Sequence, residues 1–371
     1  MSRVLYVAYP LLTVSCESAG GAEQVLWTLE REMTQCETVR RQIGKTNVRT
    51  TVAASAGSQV SGELFATGEP CTQHDDYERR RAEHEDRVVE LVRQQAREGK
   101  PFELVHDMSG SFWRRAAEID VPVLATLHLP RHFYPAESFS NVPANVTFNC
   151  VSQSQSRSFG DLERMIGVVP NGIALDKFSR DVDEQDFAEH QGLLWLGRIC
   201  EEKAPHLALE IAKRAGLPIT IAGQVYPFSY HRQYFEREVA PRLQRMPDAV
   251  FLDSPSFEMK CELLRTAKAL LITSQVDETS SLVAMEAAAS GTRVIAFRRG
   301  ALPEVVKDGV TGFVVDDVSR AVEACRRVEK ISRAACIAHA QENFSSAKMA
   351  DGYLRLYEQI AATDRQLEAT A

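Results

Sequence analysis

Two glutamates, Glu278 and Glu286, bracket the apolar part of ETSSLVAMEAAASG, residues 278–291. The run between them reads as a helix, with Ser280 or Ser281 as its cap and Gly291 as its stop. Glu278 then stands just before the helix, and Glu286 lies one to two turns inside it. A carboxylate turned inward there needs partners, because an unpaired buried charge is costly. Ribose cis-hydroxyls are suitable ones, as in dinucleotide sites where a carboxylate holds a ribose. The plainer alternatives are a Glu278 that only decorates the helix start, where the dipole favours an acid, and a Glu286 that faces solvent.

Two other loops carry residue types that suit an anion. GRICEEKAP places Arg198 and Lys203 ahead of a helix, and a cation pair at a helix N-terminus fits a diphosphate. Glu201 and Glu202 could equally pair with them on the surface. SAGGAE places Gly20 and Gly21 at a helix start, where bare backbone N–H groups can approach an anion. A tight turn explains the same glycines, and the spacing is not G-x-G-x-x-G.

These loops must be positioned by something. Short apolar runs recur along the chain: 4–9, 50–55, 102–107, 121–128 and 145–152, then 192–197, 218–223, 249–253, 268–274, 293–297 and 312–315. Most are continuous rather than alternating, as in strands covered on both faces of a parallel sheet. Amphipathic stretches separate them, so strand and helix alternate twice over, which predicts two doubly wound α/β domains. Ligands of such sheets bind beyond the carboxyl ends of the strands, where all three loops fall. The expected domains are 1–168 and 169–344, with a final amphipathic helix at about 345–371 carrying Met349, Tyr353, Leu356, Tyr357 and Ile360 on one face. The Arg79-Arg80-Arg81 run reads as a solvated helix face with interleaved acids. The segment 34–49 is polar, has no helical stripe and is given no role.

With 371 residues the chain suits two domains. Its net charge of -8 argues against general nucleic-acid binding. It has no run long enough to span a membrane, and its first apolar stretch suits a buried strand better than a signal peptide. The eight cysteines are scattered without a C-x-x-C pair. They read as reduced thiols of a cytoplasmic protein, with no zinc-ligand spacing and hence no expected metal.

The second half resembles the nucleotide-sugar domain of the family 4 retaining glycosyltransferases, of the group 1 type. The matching pieces are VVPNGIALDKF, WLGRICEEKAPHLALEIAKRAG, ITIAG and SQVDETSSLVAMEAAASGTRVIAFRRGALPEVVKDGVTGFVV, in the family's order. The first half resembles the acceptor domain through GGAEQ, FELVHDMSG, LATLHLPRHF and CVSQSQ. The resemblance implies the glycosyltransferase B fold, two Rossmann-like domains facing a cleft, with the last helix crossing back to the first. It implies that Arg198 and Lys203 hold the donor diphosphate, that Glu286 binds the ribose and that Glu278 contacts the transferred sugar. Backbone N–H groups near Ser280, Ser281 and Leu282 would lie by the distal phosphate and sugar. Gly21, beside Gly20, would let the first-domain loop approach the phosphates, and His128 would reach the sugar. The family commonly has Pro-Phe-Gly after the first glutamate, whereas this chain has Thr279-Ser280-Ser281, which bears on the sugar chosen.

The expected reaction is transfer of a hexose from a nucleotide diphosphate sugar, UDP-linked by family frequency, to an acceptor hydroxyl with retention. The acceptor, a small molecule, glycan or lipid-linked group, is not legible. No cofactor or metal is expected. Asp181-Val-Asp183 matches the D-x-D of metal-dependent transferases but reads as a solvated loop. The loop around Ser254-Pro255-Ser256 is the expected place for the base. The rival readings are a non-catalytic nucleotide-sugar-binding protein and, on the same architecture, a non-hydrolysing epimerase, whose motifs are missing.

Overall fold

A computed structural model of the chain describes residues 3–18, 20–35, 48–71, 76–178, 192–226 and 228–370, with the backbone alone at 136 and 365–370. Asp181 and Asp183 and most of the segment 34–49 lie outside the described residues. The chain divides into two compact units, Met1–Gly172 with Ser346–Ala371, and Ile173–Ser345.

The first unit is built on a seven-stranded sheet in the order β3-β2-β1-β4-β5-β6-β7. Its strands are β1 (Arg3–Val7), β2 (Arg49–Ala54), β3 (Glu63–Ala66), β4 (Leu104–Asp107), β5 (Val123–Leu127), β6 (Val146–Cys150) and β7 (Met165–Val168). The second unit has a six-stranded sheet in the order β10-β9-β8-β11-β12-β13. These are β8 (Leu193–Leu196), β9 (Ile219–Gly223), β10 (Ala249–Asp253), β11 (Ala269–Ile272), β12 (Val294–Phe297) and β13 (Gly312–Val315). Every strand pairing is parallel. Each expected apolar run contains a strand. The edge strands β3 and β7 were not foreseen, because ELFA and MIGV are four residues long and only partly buried.

The continuous apolar runs have the cause they imply. In the second sheet Leu193, Trp195, Ile219, Ile221 and Leu271 enter one core, while Leu194, Ala222, Leu270, Ile272 and Ala296 enter the other. Successive side chains point to opposite faces, so both parities must be apolar when helices cover both faces. The strand order reverses direction beside β8 and β11 in this sheet, and beside β1 and β4 in the other. Such switch points open a crevice beyond the strand ends.

The first unit is finished by the last helix, Ser346–Thr370. Met349, Tyr353, Leu356, Tyr357 and Ile360 are all buried. Under it His106 of β4 lies 2.7 Å from both Tyr357 Oη and Thr126 Oγ1, and Tyr357 donates to Tyr6. Residues distant in sequence thus satisfy one another's polar atoms inside the core. The Arg79–Arg81 run pairs with Asp76, Glu78 and Glu83 as the interleaved acids suggest, but only Arg79 is a solvated position: the Arg80 side chain is 14% exposed and donates to the Glu69 carbonyl at 2.8 Å, and Arg81 is half-buried.

Candidate functional site

In the second unit the switch point joins two loops. The loop after β8, residues 197–204, ends at Ala204, a non-glycine residue with φ 50°, and feeds the Pro205–Ala215 helix. A left-handed alanine is strained and persists where its surroundings hold it. Thr273, just after β11, supplies that hold: its hydroxyl donates to the carbonyls of Lys203 and Ala204 at 3.1 and 2.8 Å. Trp195 Nε1 donates to Thr273 Oγ1 at 3.1 Å, and the Gln275 amide donates to the Glu202 carbonyl at 2.7 Å.

Across this junction Lys203 Nζ meets Glu278 Oε1 at 2.5 Å. Ser274 donates to the same oxygen. Glu278 therefore does more than decorate a helix start: it is tied to the other loop by an ion pair, with its side chain 11% exposed and that of Lys203 30% exposed. Arg198 is exposed, and its guanidinium lies 5.7 Å from the Tyr226 ring centre. No ion pair engages it among the described residues, so the surface pairing of Arg198 with Glu201 or Glu202 is not formed.

The Glu278 loop is also held from its far side. Gly300, at φ +51°, packs so closely that a Cβ there would stand 2.2 Å from the Glu278 carbonyl oxygen. Ala301 N–H donates to that carbonyl at 2.7 Å, and Gly300 N–H to Asp277 at 3.0 Å. The glycine lies in RRGALPE, a stretch whose residue types alone announce no role.

The helix that follows is Leu282–Ala289. Ser281 occupies its cap position, but its side chain makes no capping hydrogen bond. The serine cap expected there is absent in that form. Ser280 Oγ is buried without a hydrogen-bond partner. Among the described residues no side chain accepts from the first helical N–H groups beside Glu278, which is the arrangement that receives anions. Leu282 is half-buried at the first turn.

Glu286 is only 4% exposed, so it does not face solvent. Its carboxylate meets Lys260 Nζ at 2.7 Å. Lys260 belongs to the Phe257–Thr266 helix and lies 5.2 and 5.3 Å from the ring centres of Phe257 and Phe178. Sequence reading missed Lys260. Its only signal was a position four residues after Ser256, the true side-chain cap of its helix, which accepts from Met259 N–H. A desolvated carboxylate needs this partner.

In the first unit Gly21 opens the Gly21–Gln35 helix. Gly20 is bare for a reason internal to the chain: a Cβ there would collide with the Glu23 carboxylate at 1.9 Å. Glu23 is 3% exposed, and burial pushes its carboxyl up to about 7. The Glu23 carboxylate therefore occupies the place that a side chain at Gly20 would take. His128 directly follows β5 and is half-buried. Burial lowers its imidazole to about 4, so at neutral pH it is uncharged.

Residues 181–345 match the model of the family described as glycosyl transferases group 1. Lipopolysaccharide 1,2-N-acetylglucosaminetransferase of Salmonella typhimurium is 25% identical over 180 residues, 42% of this chain and 47% of that one. D-inositol 3-phosphate glycosyltransferase of Mycolicibacterium smegmatis is 34% identical over 158 residues, 41% of this chain and 36% of that one. The chain therefore spans about half, or less, of the length of these relatives. Among solved structures, a glycosyltransferase involved in avilamycin A biosynthesis superposes with a TM-score of 0.70 at 20% identity, covering 98% of both chains. Anabaena HepE in complex with UDP-glucose gives 0.72 at 15% identity, covering 99% of this chain and 100% of that one. At such identities the likeness shows the fold: two Rossmann-like α/β units of the glycosyltransferase B type.

Proposed function

We propose, on the premise that residues 181–345 form a glycosyl transferases group 1 segment, that the protein transfers a hexose from a nucleotide diphosphate sugar to an acceptor hydroxyl. The observation that carries this reading is the Lys203–Glu278 pair, placed across the switch point beside a helix start that the Ser281 side chain does not cap. Lys203, Arg198 and the first N–H groups of the Leu282–Ala289 helix offset charge on the diphosphate as it leaves. Glu278 Oε1 is taken by Lys203 and Ser274, which leaves Oε2 for a hydroxyl of the transferred sugar. Glu286, steadied by Lys260, accepts from the ribose. His128, neutral at pH 7, serves as a hydrogen-bonding group toward substrate rather than as an acid.

The chemistry proposed is retaining. The bond from the anomeric carbon to the diphosphate breaks, the bond to the acceptor oxygen forms on the same face, and the acceptor proton ends on the leaving diphosphate. Protein cations do the work that Mg2+ does elsewhere, so transfer without added Mg2+ or Mn2+ should equal transfer with either; a requirement for one of them would overturn this point. UDP is the favoured carrier, in keeping with the UDP-glucose complex of the Anabaena neighbour.

Calorimetric titration with UDP-glucose, UDP-N-acetylglucosamine, GDP-mannose and ADP-glucose tests the donor. One sugar nucleotide should bind, and Glu286→Ala should weaken it by about tenfold or more, the loss of a charge-assisted hydrogen bond pair. Binding of none would sink the reading. Glu278→Gln separates an enzyme from a mere binder: transfer should fall by about two orders of magnitude or more while donor affinity changes little. If instead no transfer can be measured with any acceptor while donor binding is tight, the protein is a binder.

A further inference from the structure

The loop after β8 carries a second constellation that the donor chemistry does not use. Cys200 and Glu202 lie in it, and His231 lies in the short Ser229–Tyr234 helix that follows β9. One ligating atom from each, a sulfur, a carboxylate oxygen and an imidazole nitrogen, all fall within 4.8 Å of one another. Cys200 is fully buried and His231 is 1% exposed, while Glu202 is half-buried.

Among the described residues, His231 Nδ1 is buried without a hydrogen-bond partner. Such an orphan costs about 1–3 kcal/mol. Cys200 Sγ lies 3.6 Å from the Arg198 carbonyl, and the thiol is also hydrogen-bonded to the Glu202 carboxylate, so two of the three groups already face one another. The His231 ring is walled by Tyr226, Phe228 and Tyr230, whose ring centres lie 5.8, 5.5 and 4.3 Å away. That wall fixes the imidazole and keeps water from it. Glu202 forms no ion pair with a cation among the described residues, although Arg198 and Lys203 flank it in sequence.

We propose that Cys200, Glu202 and His231 form a binding site for a divalent transition-metal ion, with Zn2+ the best match. Thiolate, imidazole and carboxylate together make a borderline-soft set that prefers Zn2+ to Mg2+ or Ca2+. Bonds of about 2.0–2.3 Å place tetrahedral ligand atoms roughly 3.5 Å apart, so the present separations need only a small inward movement. Three protein ligands leave a fourth position for water. On binding, the thiol S–H breaks, a sulfur–metal bond forms and the proton passes to solvent. The site would brace the loop that carries Arg198 and Lys203 against the segment after β9, where the Ile199 amide already donates to the Gln224 carbonyl at 3.0 Å. It is distinct from the diphosphate charges, which a hard ion such as Mg2+ would neutralise through oxygen ligands.

Cobalt titration of the reduced, chelator-treated full chain tests this without any transfer assay, so its outcome is independent of the proposed reaction. One equivalent of Co2+ should bind with a thiolate-to-cobalt charge-transfer absorption, and Zn2+ should bleach it. Cys200→Ser should abolish the band. His231→Gln and Glu202→Gln should each weaken binding by about tenfold or more; Glu202 is half-exposed, so its variant keeps the fold even if Cys200→Ser does not. The site is refuted if the wild type shows no charge-transfer band, or if the band and the affinity persist in both His231→Gln and Glu202→Gln, which would assign the metal to other thiols.

Discussion

Single side chains decide what each loop can do, and their partners were set by folding. Glu278 and Glu286 carry the same charge in one short stretch, yet each is paired with a different lysine. Glu278 meets Lys203 from the loop after β8, and Glu286 meets Lys260 from the neighbouring helix. Glu23 is a third carboxylate whose behaviour follows from its surroundings. Burial raises it from an ordinary 4.5 to about 7. The unfolded chain therefore releases this proton first, and the folded chain binds more protons between those values. Stability contributed by protonated Glu23 is present below 4.5 and is lost as pH rises to about 7. Glu23→Gln removes the dependence. Thermal or urea denaturation of both proteins at pH 5 and pH 8 should show the wild type losing up to about 3 kcal/mol relative to the variant at the higher pH. Equal differences at both pH values would mean that the carboxyl titrates normally.

At the scale of elements, the loop from Ser274 to Ser281 is held by strands and turns on both sides. Thr273 and Gln275 tie its start to the loop after β8, and the turn at Gly300 presses on its middle. The Gly300 position demands glycine twice over, through a positive φ and through the 2.2 Å approach to the Glu278 carbonyl. Gly300→Ala should cost about 1–3 kcal/mol. Because it displaces Glu278, transfer should fall by about tenfold or more even where the protein remains folded. A thermal melt and a transfer assay on one preparation distinguish these effects. An unchanged rate with a lowered melting point would show that the turn stabilises the sheet without positioning the carboxylate.

At the scale of the whole molecule, the chain leaves its first unit after Gly172 and returns to it at Ser346. The end of the chain is therefore part of the core of its beginning. Tyr353 and Tyr357 are buried beneath the last helix, and His106, lowered to about 3 by burial, is neutral between Tyr357 and Thr126. Tyr357→Phe leaves His106 Nδ1 and Tyr6 without that hydroxyl, at a cost of about 1–3 kcal/mol. Urea denaturation should report that loss, while calorimetry should find donor affinity within about threefold of wild type, since the ion pairs assigned to the donor lie in the other unit. A matching collapse of donor affinity would contradict this division of labour.

The amino-acid sequence alone determined the strand–helix alternation, because short, β-branched runs that are apolar on both parities suit strands of a sheet covered on both faces. Every expected run holds a strand, whereas ELFA and MIGV, partly exposed edge strands, left no such mark. Glu278, Lys203 and Arg198 were legible for a similar reason: loops after strands concentrate few residue types, and a charge there stands out. Lys260 was not, since a lysine on an amphipathic helix looks like a solvated one until Glu286 is packed against it. Gly20 was legible as a bare position but not its occupant, Glu23, because the carboxylate folds back only once the helix has formed and been buried. Cys200, Glu202 and His231 show the same limit. Residues close in sequence announce a ligand set by spacing, but a set closed across two strand ends exists only after β8 and β9 are paired in register.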